Sequence, residues 1–452
     1  MSEDVVQEQE VNVLTQLTGA IADGNVDQIE ALLERLHPAD IAHLLDSLPA
    51  EQRDFVWPHV PAEHEGEVLL HLNDEARALI IKKMEPEALV AATESLDTDD
   101  LADLLPEMPQ SVIQELLLTM EYQDRERLRS VLAYPEDSAG GLMDLDTVVV
   151  RANTTLDVVF RYLRRRGDIP DTTDSLFVVD REGVLQGILP FTELLTHDTD
   201  TLVDDIMDRD VEGIPATLSA QEVANLFERR DLVTAPVVDE SNKLLGRITI
   251  DDVVDVIRDT ADQSMMRMAG LSEDEELFSP VLRSTVRRAI WLGINLLTAI
   301  LASAVIKLFD GAINKIVALA VLMPIVASMG GIAGSQTLTL VIRGMALGQI
   351  SKSNARRLLL KELSVGLANG VIWAVVISIF AEAWFGLPGV AVIMGTAIIV
   401  NLLAAAFAGT LLPIILKKFK LDPALSGSVI LTTVTDCTGF FVFLGLATLF
   451  LL

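Results

Sequence analysis

The sequence holds a single cysteine, Cys437, in 452 residues. That excludes an intramolecular disulfide framework and a cysteine-based zinc site. Its 6 histidines all lie at or before His197, and none sits in an obvious cluster with cysteine or acids. No nucleophile–base pair stands out, so an enzyme is disfavoured. The phosphate-binding signature GxxxxGK[ST] is missing, which argues against a primary ATP-driven pump. The first ten residues, MSEDVVQEQE, lack the basic and apolar regions of a secretory signal, so the soluble part is expected in the cytoplasm. Basic residues are scarce overall: 34 Lys and Arg against 66 Asp and Glu, a formal net charge of −32.

That average hides two different regions. From Pro280 onward there are only 5 acids, Asp310, Glu362, Glu382, Asp422 and Asp436, and bases outnumber them. The residues before Pro280 carry the other 61 acids. A soluble region this acidic repels nucleic acid and anionic lipid. Its charge either solvates it or binds cations.

Five apolar stretches long enough to span a bilayer are expected near 285–309, 313–342, 358–382, 390–416 and 426–451. Positive charge clusters before the first span (Arg283, Arg287, Arg288), between the second and third (Arg343 to Lys361), and between the fourth and fifth (Lys417, Lys418, Lys420). The positive-inside rule then places the N-terminus inside and the C-terminus outside. Glu362 falls near the inner boundary, where a side chain can snorkel toward water.

Asp436 is the acid of the last span, about ten residues in and so about 15 Å deep at helical rise. A charge at that depth costs about 2.5–3.5 kcal/mol on insertion scales and marks an ion or substrate path by default. The second span carries Pro324, Gly330, Gly331 and Gly334 with Ser335 and Gln336. Proline removes a helix hydrogen bond, and glycine lets backbones approach closely. Irregular backbone at that depth is tolerated inside protein or along a water-filled cavity. Simple helix packing is the plainer explanation. Beside Asp436, the balance shifts to a pore wall of Pro324, Gly330, Gly331, Gly334 and Gln336. Asn295, Asn369 and Asn401 add polar groups that interhelical hydrogen bonds explain equally well. Mg²⁺ keeps several waters and is bound by one or two carboxylates. A symmetric dimer would face two Asp436 side chains across its axis. A protonated Asp436 acting as a proton relay is the competing reading.

In the soluble region, 25–134 is helical in pattern after an expected flexible acidic N-terminus (1–24). The segment PADIAHLLDSLP (38–49) resembles DDLADLLPEMP (99–109), suggesting stacked helical repeats. Acids crowd the start of the second segment, where N-capping and the helix dipole favour them in any case. From 135 the pattern changes. SLFVVDREGVLQGILPFTELL (175–195) reads strand, turn, strand, helix, and TAPVVDESNKLLGRITIDDVVDVI (234–257) repeats it. The helical pattern after the second copy is expected to continue straight toward the first span. It carries Asp255, Asp259 and Asp262 along one face, a self-repelling row unless solvent or a cation screens it.

The two copies resemble a tandem of cystathionine-β-synthase-type (CBS) modules, about 138–200 and 201–260. The second copy's Gly246-Arg247-Ile248-Thr249-Ile250-Asp251-Asp252 is similar to that family's adenosine signature. The resemblance implies Thr249 near phosphate, Asp252 near ribose, and an adenine nucleotide such as ATP as ligand. Pro190 replaces the threonine in the first copy, so at most one nucleotide site is expected.

The order of parts resembles the MgtE family of bacterial magnesium channels over nearly the whole chain. The resemblance rests on YPEDSAGGLM (134–143), the paired modules, PIVASMGGIAGSQ (324–336) and LDPALSGSVILTTVTDCTGFF (421–441). It implies a multi-domain fold: an all-α superhelical N domain (25–134), an α/β tandem CBS pair (135–260), a connecting plug helix (261–282) and an all-α membrane domain of five transmembrane helices (283–452). It also implies a homodimeric, cytosolic-Mg²⁺-gated channel for Mg²⁺ uptake and homeostasis in the bacterial plasma membrane. Asp436 would hold hydrated Mg²⁺. Regulatory Mg²⁺ would bind Asp99, Asp103, Asp231, Asp252 and Asp255, with Asp259 of the same acidic row as Asp255 also a candidate. Two departures bear on ion choice and sensing. Ile332 stands where the family commonly has Asn, and Arg258, Thr260, Gln263 and Ser264 stand where it tends to be acidic. A proton- or sodium-coupled transporter of Co²⁺, Mn²⁺ or Mg²⁺ and a nucleotide-sensing membrane regulator are the alternatives.

Overall fold

The computed structural model describes residues 3–93, 96, 98–105, 108–120, 122–167, 169–170, 172–271, 275, 277–351, 353–419 and 421–452. Within these, the side chains of 3–11, 98, 99, 103, 115, 119, 122–124, 126 and 127 lie outside the description. Contacts divide the chain into two compact units, Met1–Ala261 with Asp274–Pro280, and Asp262–Glu273 with Val281–Leu452.

The first unit opens with short helices running from α1 (Glu3–Asp23) to α10 (Tyr122–Val131). The expected flexible leader is helical instead: Leu17 and Ala20 of α1 are buried in the same core as Ile29 and Leu33 of α2 (Val26–Leu33). Helix α3 (Pro38–Asp46) starts as its sequence asks, with Pro38 at the first turn and the His37 ring accepting from the Ala39 N–H. Buried Arg53 donates to the carbonyl of Leu45 in the last turn of α3 and to that of Leu48 just past it. The repeat partner of α3 is α8 (Thr98–Leu104), and both pack against α5 (Glu65–His71).

Two small α/β modules follow. In the first, β1 (Val149–Val150) runs parallel to β2 (Ser175–Val179), which pairs antiparallel with β3 (Leu185–Pro190). In the second, β4 (Ile214–Pro215), β5 (Thr234–Val238) and β6 (Leu244–Thr249) repeat the order. Register recurs as well: Ser175 faces Pro190, and Thr234 faces Thr249. Each copy breaks register once, between Val178 and Val179 and between Val237 and Val238. The copies join through isolated bridges such as Val184 with Lys243. The helical domain shares one hydrophobic core with the second copy, through Phe227, Val237, Ile248 and Val253. The first copy has its own core around Leu156, Leu176 and Val178.

Helix α15 (Ile250–Met268) begins directly at the end of β6 and passes residue 260 without a break, so the last helix of the second module and the connecting helix are one element. It does not run straight into the first span. Gly270 adopts a left-handed φ of 73°, which ends the helix, and the next helix starts at Val281.

The second unit holds five helices long and apolar enough to cross a membrane: α16 (Val281–Lys307), α18 (Val317–Ala346), α19 (Ala355–Phe385), α20 (Pro388–Lys418) and α21 (Pro423–Leu451). The short α17 (Asp310–Lys315) precedes the second span, which therefore starts a few residues later than expected. Helix α20 is the most buried and packs against α18, α19 and α21. Helix α18 stays helical through Pro324 and through Gly330, Gly331 and Gly334, so the glycine run packs the helix rather than breaking it. Asp422 caps α21, accepting from the Ala424 and Leu425 N–H groups, and its other oxygen pairs with Arg267 at 3.1 Å.

Candidate metal-ion groove in the membrane domain

Asp436 opens into a groove of about 760 Å³ between α18 and α21. Two stripes of α18 at helical spacing form one wall: Ser328, Ile332 and Gln336, and Gly331, Ser335 and Thr339. Thr432, one turn before Asp436, completes the α21 side, and Ala327 closes the edge. The lining is hydroxyls, one amide and one carboxylate, with Ile332 the large apolar exception. Asp436 has no hydrogen-bond or ion-pair partner among the described residues. Nor, among the described residues, do three His, Cys, Asp or Glu side chains converge into a metal cage. A lone carboxylate among hydroxyls can hold a cation through its water shell, and it cannot strip that shell.

Of the expected pore residues, Gly331 and Gln336 line this groove. Pro324, Gly330 and Gly334 do not. Gly330 and Gly334 are buried, facing neighbouring helices: a Cβ on Gly330 would lie 2.3 Å from Asn401 Nδ2, and one on Gly334 would lie 2.9 Å from Leu431 Cδ1. Pro324 is exposed on α18. The stripe Ser328, Ile332, Ser335, Thr339 was readable as i, i+4 spacing from Gly331 and Gln336.

Glu362 does not snorkel. It is 4% exposed, with Thr337 Oγ1 of α18 donating to its Oε2 at 3.3 Å and Lys361 Nζ at 2.6 Å from its Oε1. It ties the back of the groove wall to α19.

In the soluble unit, Thr249 and Asp252 come together. The Thr249 hydroxyl donates to Asp252 Oδ2 at 3.1 Å and its N–H at 3.4 Å. Burial, with Asp251 and Asp100 adding like charge, pushes the Asp252 carboxyl up to about 7 against those two bonds. Asp255 and Asp259 are exposed on α15. Asp231 is exposed in a left-handed turn at φ 51°, its N–H closing α14 (Ala220–Arg230) on the Phe227 carbonyl. The backbone of α8 carries Asp99 and Asp103, but their side chains lie outside the described residues.

These features define a multi-pass membrane protein with an acidic helical domain, a tandem CBS pair and a membrane domain in which Asp436 faces a groove without a partner among the described residues. The family model "Divalent cation transporter" (MgtE) matches residues 323–446, the MgtE intracellular N domain matches 36–137, and the CBS domain matches 139–200 and 203–259. The chain belongs to the MgtE family. It is 31% identical over 447 residues to the magnesium transporter MgtE of Thermus thermophilus, covering 98% of this chain and 99% of that protein. It is 28% identical over 431 residues to the magnesium transporter MgtE of Bacillus subtilis, with 95% and 96% covered. Among solved structures, it resembles the cytosolic domain of the Mg²⁺ channel MgtE in complex with ATP, at 35% identity and a TM-score of 0.49, over 54% of this chain and 99% of that one.

Proposed function

We propose that the chain is a homodimeric, Mg²⁺-selective channel for magnesium uptake and homeostasis, with hydrated Mg²⁺ passing Asp436. The observation that carries the reading is the unpartnered Asp436 carboxylate in a hydroxyl-lined groove at membrane depth. A charge there without an ionic partner is costly unless an ion or water occupies the path. The names of the Thermus thermophilus and Bacillus subtilis relatives supply the ion. The groove is open on one side of a single chain, and a two-fold axis would close it and oppose two carboxylates. Basic residues flanking the spans favour a cytoplasmic soluble region and N-terminus, with the C-terminus outside.

Gating follows from the acids of the soluble region. Asp99, Asp103, Asp231, Asp252, Asp255 and Asp259 are the proposed regulatory ligands. With Mg²⁺ abundant, bridged acids hold α15 as a plug over the path. With Mg²⁺ scarce, like charges part and the population shifts to the open state. The Asp252 carboxyl, raised chiefly by its burial and further by Asp251 and Asp100, supports this, because an enclosed acid beside other acids is one that a bound cation would relieve. An adenine nucleotide would bind the second module with Thr249 toward phosphate and Asp252 toward ribose, where the two side chains already meet.

Voltage-driven Mg²⁺ uptake into liposomes tests the reading. A divalent ion gains about 2 × 2.3 kcal/mol per 100 mV. Uptake should follow voltage and fall as Mg²⁺ is raised on the soluble-domain side. Uptake that follows a proton gradient at zero voltage would replace the channel with a coupled exchanger.

A further inference from the structure

Behind the groove, one side chain touches both helices that form it. Asn401 of α20 is 0% exposed, and its Nδ2 donates to the Val326 carbonyl of α18 at 2.8 Å. Its flanks are glycines. A Cβ on Gly330 of α18 would lie 2.3 Å from Asn401 Nδ2, and its three nearest atoms all belong to Asn401. A Cβ on Gly439 of α21 would lie 2.8 Å from the same nitrogen. Gly439 is one helical turn beyond Asp436, and Gly330 directly precedes Gly331 of the groove wall. The amide therefore packs against both α18 and α21 where the groove is formed, beside the Val326 side chain, whose Cγ1 would lie 2.9 Å from the same Cβ on Gly439.

Packing alone does not account for that amide. Its Oδ1 is buried and accepts no hydrogen bond from a described residue. A buried acceptor without a donor is unfavourable, and a leucine of the same branched shape would avoid it. The residues around it, Val326, Ile398 and Leu402, are apolar and buried. The amide's contribution is instead geometric: one hydrogen bond to α18 and one flat contact on each of two glycines.

We propose that Asn401 is a positioning residue for the ion path, setting the separation and rotation of α18 and α21 and hence the hydrated ion size that Asp436 accepts. The inference rests on the reading of Asp436 as the ion site. Packed interfaces pass small side-chain changes on as discrete shifts, because they are close-packed. A change at 401 therefore reaches the groove without touching the ion.

The test is uptake of Mg²⁺, Mn²⁺ and Co²⁺ by full-length protein in liposomes, for Asn401→Leu, Gly330→Ala and the Asn401→Ala/Gly330→Ala pair, with Asp436→Asn alongside. Asn401→Leu should shift the Mg²⁺:Mn²⁺ uptake ratio by about threefold or more, the size expected for coupled neighbours, with thermal midpoint and dimer elution unchanged. Gly330→Ala should lower Mg²⁺ uptake by about tenfold, and removing the amide in the pair should recover most of it. If Asn401→Leu fails to accumulate, the recovery in the pair decides. An unchanged ion ratio together with no recovery in the pair overturns the proposal while Asp436→Asn remains inactive. Full uptake by Asp436→Asn would overturn the ion-site reading, and this inference with it.

Discussion

The two halves of the molecule use acids in opposite ways. The residues before Pro280 hold 61 of the 66 acids, and the later ones hold 5. Where acids are abundant, residue type says little about role. Asp146 pairs with Arg166 at 2.6 Å, Asp144 with Arg247 at 2.9 Å, and Asp255 and Asp259 face solvent. Where acids are scarce, position separates their tasks. Asp422 caps a helix and pairs with Arg267, Glu362 is buried on Thr337 and Lys361, and Asp436 faces a groove with no partner among the described residues. A carboxylate is informative in proportion to what it costs where it sits. In water that cost is near zero. At membrane depth it requires a reason.

The comparison can be sharpened first at a soluble acid that is buried. Asp144 and Arg247 are among the most enclosed charges of the soluble unit. Arg247→Ala leaves Asp144 buried and unpaired and should cost about 3–5 kcal/mol, read as an early loss of cooperative unfolding in denaturant. A double change of Asp144 and Arg247 to apolar residues of similar volume should recover most of that loss. If the single change is nearly neutral, burial is not what distinguishes informative acids in this half.

A smaller effect is expected from pH. The Asp252 carboxyl is raised from 3.8 to about 7 in the folded protein. The folded state therefore binds the proton more tightly. The stabilising contribution is complete below the unfolded value and is lost as pH rises through about 7. Without divalent ions, the thermal midpoint of the soluble unit should fall as pH rises from about 4 to about 7 and level off above that. The loss is roughly 1–2 kcal/mol after discounting for the solvent that reaches this side chain. Asp252→Asn should flatten the slope, and so should millimolar Mg²⁺. A slope that survives Asp252→Asn assigns the titration to another group.

The smallest effect belongs to the Arg267–Asp422 pair, which joins the end of α15 to the start of α21 within the second unit. Both side chains are about one-third exposed, so the pair should contribute about 0.5 kcal/mol. Arg267→Ala should move the Mg²⁺ concentration that half-suppresses uptake upward by about twofold, a shift that follows from the same figure. High salt should reduce the difference between variant and parent. A downward shift would mean that the pair favours the open state.

Much of the fold was legible because its signals are local. The strand–turn–strand–helix pattern at 175–195 returns at 234–257, and the sheets repeat in register. The spans were legible as length and hydropathy, with ends displaced by a few residues and α17 unseen. Asp436 was legible as an acid in an apolar stretch. Helix faces in the spans were not, for a physical reason. When every position is apolar, periodicity carries no information on which side packs. Gly330 and Gly331 are adjacent and read alike, yet one abuts Asn401 and the other lines the groove. Asn401 had equally plausible readings as an interhelical hydrogen-bond donor and as a pore polar group. Only its placement between Gly330 and Gly439 separates them. The stop after α15 also went unseen, because Gly270 acts through a left-handed turn that a helical pattern does not reveal.

The most direct test of the central claim is voltage-driven Mg²⁺ uptake into liposomes by Asp436→Asn beside the parent protein, at matched protein content and with Mg²⁺ low on the soluble-domain side. Uptake by the parent and at most a few per cent of it in Asp436→Asn is the predicted result. Equal uptake by the two would contradict the placement of the ion path at Asp436.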